Sequence, residues 1–106
     1  MPANRQGLWN DDPKVTWGAD FPTMMNLEMN YWPAETANLS ECAGPLIQLI
    51  DNLRAPGRVA AKTVYGAHGW VVNYTTNPWG FTGAGTGPYQ YFPAGSAWLC
   101  QEVFER

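Results

Sequence analysis

Met25-Asn26-Leu27-Glu28-Met29-Asn30-Tyr31-Trp32-Pro33-Ala34-Glu35 brings together two amides, two carboxylates, a Tyr-Trp pair and a proline. Up to Trp32 the spacing predicts a helix, roughly Thr23 to Trp32, with Met25, Met29 and Trp32 at i, i+4, i+7 on one apolar face. Asn26 and Asn30 are four apart and share a neighbouring face. Pro33 lacks an N–H and disfavours helical geometry at Trp32, so the helix is expected to end or kink there. Buried amides beside aromatics are costly unless something pairs with them. The partner is either a core neighbour or a polar ligand such as a sugar.

Downstream, Asn38-Leu39-Ser40-Glu41 has the form of a capping box. Leu46, Ile47, Leu49, Ile50 and Leu53 then repeat at helical spacing, and Ala55-Pro56-Gly57 is expected to end that helix. A second short helix runs from Arg58 to Tyr65, with Gly66 as its C-cap. Gly66 to Tyr74 reads as a strand or an extended loop, and Asn77-Pro78-Trp79-Gly80 as a turn. Thr82 to Gly95 has no period and is rich in Gly, Pro and aromatics, so it reads as an ordered functional loop. Ser96 opens a last helix, Ala97 to Glu105, and the chain stops inside its pattern at Arg106. Upstream, Asp11-Asp12-Pro13 is a turn and Trp17-Gly18 a loop. Trp9 and Trp17 serve there either as core plugs, the commoner use, or as a ligand wall.

The 106 residues suffice for one small domain. Net charge is -3 with no Lys/Arg run, which argues against a nucleic-acid partner. Charged residues make up 14%, and aromatics another 14% with six Trp. Ordinary domains carry roughly 25% charge, so much of this surface needs covering, by a larger protein or by other copies. No apolar run approaches the roughly 18 residues of a membrane-spanning helix. Met1-Pro2-Ala3-Asn4 is polar and does not open a signal peptide. Cys42 and Cys100 lie in apolar helical patterns and read as buried free thiols. Asn38-Leu39-Ser40 and Asn73-Tyr74-Thr75 are glycosylation sequons, a pattern common by chance.

Several chemistries are missing. Gly83-Ala84-Gly85-Thr86-Gly87 lacks the Lys and the helix of a phosphate loop, and there is no Gly-x-Ser-x-Gly elbow. The one histidine, His68, forms no metal-ligand spacing with the cysteines; between Ala67 and Gly69 it reads first as a local hydrogen-bonder. What remains is carboxylates (Asp20, Glu28, Glu35, Glu41) and aromatics. Glycoside hydrolysis uses those ingredients, two carboxyl groups across a bond with aromatics against the sugar, but so does a plain buried polar cluster.

Six blocks carry a resemblance. They are Pro2-Ala3-Asn4-Arg5-Gln6-Gly7-Leu8-Trp9-Asn10, Trp17-Gly18-Ala19-Asp20-Phe21, Asn26 to Glu35, Asn38-Leu39-Ser40-Glu41-Cys42, Tyr65-Gly66-Ala67-His68-Gly69-Trp70 and Ala97-Trp98-Leu99-Cys100-Gln101. In this order and spacing, over nearly the whole chain, the sequence resembles the catalytic domain of glycoside hydrolase family 95. Its members are α-L-fucosidases, with some α-L-galactosidases. The resemblance implies an all-α fold: an incomplete portion of an (α/α)6 barrel, about four helices with long loops, filling residues 1–106 as one piece of that domain. It implies inverting hydrolysis of terminal α-L-fucosyl residues on oligosaccharides or glycans, without metal or cofactor. An Asn-x-Asn pair holds the water in this family. Its second asparagine falls on Asn26, its first on Met24, and a substrate-contacting histidine falls on Pro22. The general acid and its supporting aspartate would lie beyond Arg106. A histidine pair common after the Gly-Trp block reads Asn73-Tyr74 here. Trp79, Trp98 and His68 are the candidate substrate contacts, and barrel packing is the competing use of the two tryptophans. Glu28 and Glu35 read as structural or supporting residues, not as the acid. A secreted or periplasmic location is what the family suggests. The alternatives are an α-L-galactosidase, or a degenerate relative that only binds sugar or occupies structure. Nucleic acid and membrane are not expected partners; the remainder of the barrel, or self-association, is.

Overall fold

The computed structural model describes residues 1–104. Within them the chain is mostly helical, with one two-stranded ribbon. It is a slab, 40 × 34 × 20 Å. Its thin dimension matches two helix diameters, so helix packs on helix, with a main core and a smaller cluster of Ala60, Ala61 and Val71.

The expected first helix is shorter than predicted and splits in two. Helix α1 is Met25–Met29 and α2 is Pro33–Thr36. Pro33 opens α2 instead of stopping α1, because a proline in the first turn gives up only an N–H that has no helical partner there. The link is tight: Tyr31 N and Trp32 N both donate to the Glu28 carbonyl, at 2.8 and 3.1 Å. The predicted apolar face is also turned outward. Met25, Met29 and Trp32 are exposed, and so are Asn26 and Asn30; Leu27 and Glu28 are buried and Tyr31 half-buried. A helix of little more than one turn has no stripe long enough to fix its own rotation. The neighbouring contacts of Leu27 fix it instead.

Asn38 does not cap the following helix. It ends α2. It lies at φ 58, Asn38 N donates to the Glu35 carbonyl, and Leu39 N donates to the Ala34 carbonyl at 2.7 Å. This is the paired bonding of a Schellman motif, with asparagine in the left-handed seat usually held by glycine. The Ser40 hydroxyl donates to the Glu35 carboxylate, and a 3₁₀ turn Ser40–Ala43 leads into the next helix.

Helix α3, Gly44–Tyr65, runs 22 residues without the expected break at Ala55-Pro56-Gly57. Its buried stripe of Leu46, Leu49, Ile50, Leu53, Gly57, Ala60 and Ala61 passes straight through the proline. Two long-range bonds reinforce that stretch: the Pro56 carbonyl accepts from Thr82 Oγ1 and the Gly57 carbonyl from Val71 N at 3.1 Å. Gly57 is required by its neighbour, since a Cβ there would sit 2.9 Å from the Val71 carbonyl oxygen. Gly66 closes the helix at φ 62, as predicted.

Beyond Gly66 the chain is extended but unpaired until Thr75–Thr76 (β2), which runs antiparallel to Phe21–Pro22 (β1), with Phe21 opposite Thr76 and Pro22 opposite Thr75. The segment after Thr82 contains a 3₁₀ turn, Pro88–Gln90, and gives way to helix α4, Ala94–Phe104. The helix thus starts before the predicted Ala97. Ser96 lies in its first turn and donates to the Pro93 carbonyl, and Gly95 is there because a Cβ would meet the Thr23 carbonyl oxygen at 2.7 Å. The predicted end at Glu105 lies outside the described residues.

The core joins Leu27 of α1, Leu46, Leu49, Ile50 and Leu53 of α3, Val72 of the extended segment and Leu99 of α4, with Tyr31 and Trp70 against it. The cysteines are free as expected, yet both are exposed, not buried. Trp9 and Trp17 are not core plugs: they are 98% and 72% exposed.

Candidate active site

Asn26 sits on the outer side of α1. Its carbonyl accepts from Asn30 Nδ2 at 3.0 Å, and its own side-chain amide makes no hydrogen bond among the described residues. An exposed, uncommitted amide can both donate to and accept from a ligand or a water. Met24 precedes α1, its carbonyl taking Leu27 N at 2.9 Å, and its thioether offers no comparable donor. Pro22 is buried in β1.

The other three candidates ride on separate elements. His68 is exposed in the loop after α3, next to Gly69 at φ 90. Trp79 projects from a turn made by Asn77, whose Oδ1 accepts from Trp79 N at 3.0 Å and Phe81 N at 3.2 Å. Trp98 is half-buried on α4. No hydrogen bond or ring contact joins Asn26, His68, Trp79 and Trp98 among the described residues. Nor do they line the groove between α3 and α4. That groove, of about 830 Å³, is walled by Ile47, Ile50, Trp70, Val103 and Phe104 together with the polar side chains of Gln48, Asp51 and Arg54.

Three features went unread in the sequence. Glu28 is fully buried, and neither carboxylate oxygen has a hydrogen-bond partner among the described residues. Burial raises its pKa to about 7; its own backbone amide opposes the shift and the Glu102 carboxylate adds to it. Asn73, also fully buried, is a hub. Its Oδ1 accepts from the Tyr65 hydroxyl and from Phe92 N, its Nδ2 donates to the Thr82 carbonyl, and its carbonyl accepts from Thr23 Oγ1. That sequon asparagine is therefore closed to glycosylation in the folded chain. Third, Arg5 forms an ion pair with Asp20, Nε lying 2.9 Å from Oδ1, and its Nη2 donates to Asp20 Oδ2 at 3.3 Å and to the Tyr74 hydroxyl. Only the block Pro2 to Asn10 hinted at this, by carrying a lone Arg into an otherwise uncharged run.

A profile of the glycosyl hydrolase family 95 catalytic domain matches residues 1–106. The chain belongs to glycoside hydrolase family 95. Three relatives are similar over most of it. Alpha-L-fucosidase 2 of Arabidopsis thaliana is 37% identical over 105 residues, covering 97% of this chain. A probable alpha-fucosidase A of Aspergillus niger is 31% identical over 108 residues, covering 99%. One of Aspergillus oryzae is 33% identical over 85 residues, covering 79%. The matched region is 12 to 14% of those relatives' length. The family 95 catalytic domain is an (α/α)6 barrel, and the helices α1 to α4 correspond to one part of it.

Proposed function

We propose that this chain is part of an inverting glycosidase that removes terminal α-L-fucosyl residues, with Asn26 helping to hold the attacking water. The observation that carries the reading is the free amide of Asn26, presented outward from a family 95 segment. An inverting mechanism needs an acid on one face of the sugar and an activated water on the other. An amide can orient that water but cannot supply the acid. The acid and a carboxylate to activate the water come from outside these residues, and further barrel helices seat in the groove between α3 and α4. His68, Trp79 and Trp98 contact the substrate once those helices gather the elements that carry them.

In the complete enzyme carrying this segment, Asn26→Ala lowers kcat for a 2'-fucosyl oligosaccharide by at least tenfold, and Met24→Asn raises it; unchanged rates for both would reduce the run to scaffold. The purified 106-residue chain alone releases no fucose. Met24 itself favours a second reading: with one amide of the pair replaced by a thioether, the segment serves a relative that binds sugar without turning it over. A complete enzyme that binds the oligosaccharide but shows no hydrolysis until Met24→Asn would establish that reading. Fucose and galactose differ at C5, methyl against hydroxymethyl, and paired substrates separate the galactosidase alternative.

A further inference from the structure

We propose that Trp17 is a stacking seat for a neutral pyranose ring of the glycan, on the same surface as Asn26. The inference rests on the fucosidase reading and adds a second binding element to it. Trp17 lies in the 3₁₀ turn Thr16–Ala19 at φ 61, followed by Gly18 at φ 70 and Ala19 at φ 50. A bulky side chain in left-handed backbone is an outlier, and it persists only where the surroundings hold it. Here the ring is not held by burial, since it is 72% exposed. It is held by a cation: the Arg5 guanidinium lies over the ring, 5.3 Å from its centroid. Arg5 is itself nearly buried and fixed by Asp20 and the Tyr74 hydroxyl. One face of the indole is therefore seated and the other stays open.

The same arm connects this ring to Asn26. The turn Asn4 to Gly7 closes on itself, Gly7 N donating to the Asn4 carbonyl at 2.9 Å. On one side Gln6 Nε2 donates to the Thr16 carbonyl, at the start of the Trp17 turn. On the other, the Asn4 carbonyl accepts from Asn30 Nδ2 at 3.4 Å, and that Nδ2 also reaches the Asn26 carbonyl. An open aromatic face and an uncommitted amide thus flank one short, internally bonded arm.

Charge decides what fits. The Arg5 guanidinium is answered by the Asp20 carboxylate, so the seat has no spare charge to draw a phosphate or a carboxylate. An aromatic face with amide donors and acceptors beside it suits a neutral, polyhydroxylated ring: apolar C–H groups on the indole, hydroxyls to the amides. Trp9 makes the contrast. It is more exposed, yet among the described residues no cation lies over it and its backbone is not left-handed, and it is not part of the seat.

The test uses the complete enzyme carrying this segment, labelled with 5-fluorotryptophan, with the Trp17 fluorine resonance identified by its loss in Trp17→Tyr. Titration with a 2'-fucosyl oligosaccharide shifts the Trp17 line saturably. Trp17→Ala weakens binding by about tenfold, the effect of removing one aromatic anchor; Trp17→Tyr keeps most of it, and Trp9→Ala leaves it unchanged. Saturation that leaves the Trp17 line in place, no saturable shift at any indole, or full affinity in Trp17→Ala would each overturn the inference. The two readings separate cleanly. If Asn26→Ala lowers kcat in the complete enzyme while the Trp17 line stays still, only the stacking seat fails. If the Trp17 line shifts while Asn26→Ala leaves kcat unchanged, the seat stands and the role of Asn26 falls.

Discussion

Glu28 is the residue whose energetics are most exposed to experiment. Its folded pKa of about 7 lies above the ordinary 4.5, so the folded chain binds a proton more tightly than the unfolded one. The sign follows: stability is greatest below pH 4.5, falls as pH rises from 4.5 through 7, and levels off above that. A shift of this size corresponds to about 3 kcal/mol, set mainly by burial of the carboxylate. Glu28→Gln is therefore expected to flatten the profile, unfolding at higher urea than the parent at pH 8 and at nearly the same urea at pH 4. Parallel profiles for parent and variant would show that the carboxyl finds water or a donor. Nothing in the run Asn26 to Asn30 marks Glu28 as the buried polar group, because the asparagines beside it are equally polar and the helix too short to declare its rotation.

At the scale of elements, α3 shows both what pattern reveals and where it misleads. Its apolar spacing was legible from Leu46 to Leu53, but not its continuation through Gly57, Ala60 and Ala61 past the proline. The break at Pro56 was read from a local rule, and the local rule lost to packing. One missing hydrogen bond is offset by the long-range bonds from Thr82 and Val71 and by an unbroken core stripe. Gly57 gives that account a handle. In an open helix Gly→Ala gains up to about 1 kcal/mol. Here the new Cβ would press on the Val71 carbonyl at 2.9 Å and the Trp70 ring at 3.1 Å. Overpacking of that kind costs about 1–3 kcal/mol, so Gly57→Ala is expected to destabilise the chain, read as a lower urea midpoint at unchanged slope. Asn38 carries a similar lesson. The tetrapeptide Asn38 to Glu41 fits the start of one helix, but the structure spends its asparagine on ending another. Sequence pattern does not say on which side of a cap the helix lies.

The whole molecule is a thin slab with more apolar surface than its few charges can screen. Phe104 is 90% exposed beside the α3–α4 groove, and Met25, Met29 and Trp32 form an uncovered face. Patches of this kind mark surfaces meant to be covered. The isolated chain is expected to self-associate as concentration rises, measured by sedimentation; a sharply melting monomer at all concentrations would contradict this. Composition alone had already pointed there, through the six tryptophans and the 14% charge. The family was legible as well, from the order of six blocks. What the sequence could not supply was the disposition of the candidate residues: Asn26, His68, Trp79 and Trp98 lie on four separate elements.

The hub at Asn73 has a consequence for how the chain is made. Thr23, two residues before α1, is anchored through its hydroxyl to the Asn73 carbonyl, 50 positions later, and through its N–H to the Tyr74 carbonyl. Asn73 in turn takes Phe92 N. Helix α1 has only five residues, far too few to persist alone in water. During translation the Met25 to Glu35 run therefore waits, without these anchors, until Asn73, Tyr74 and Phe92 have followed it. The amide at Asn26 is thus made well before the residues that fix the turn leading into its helix.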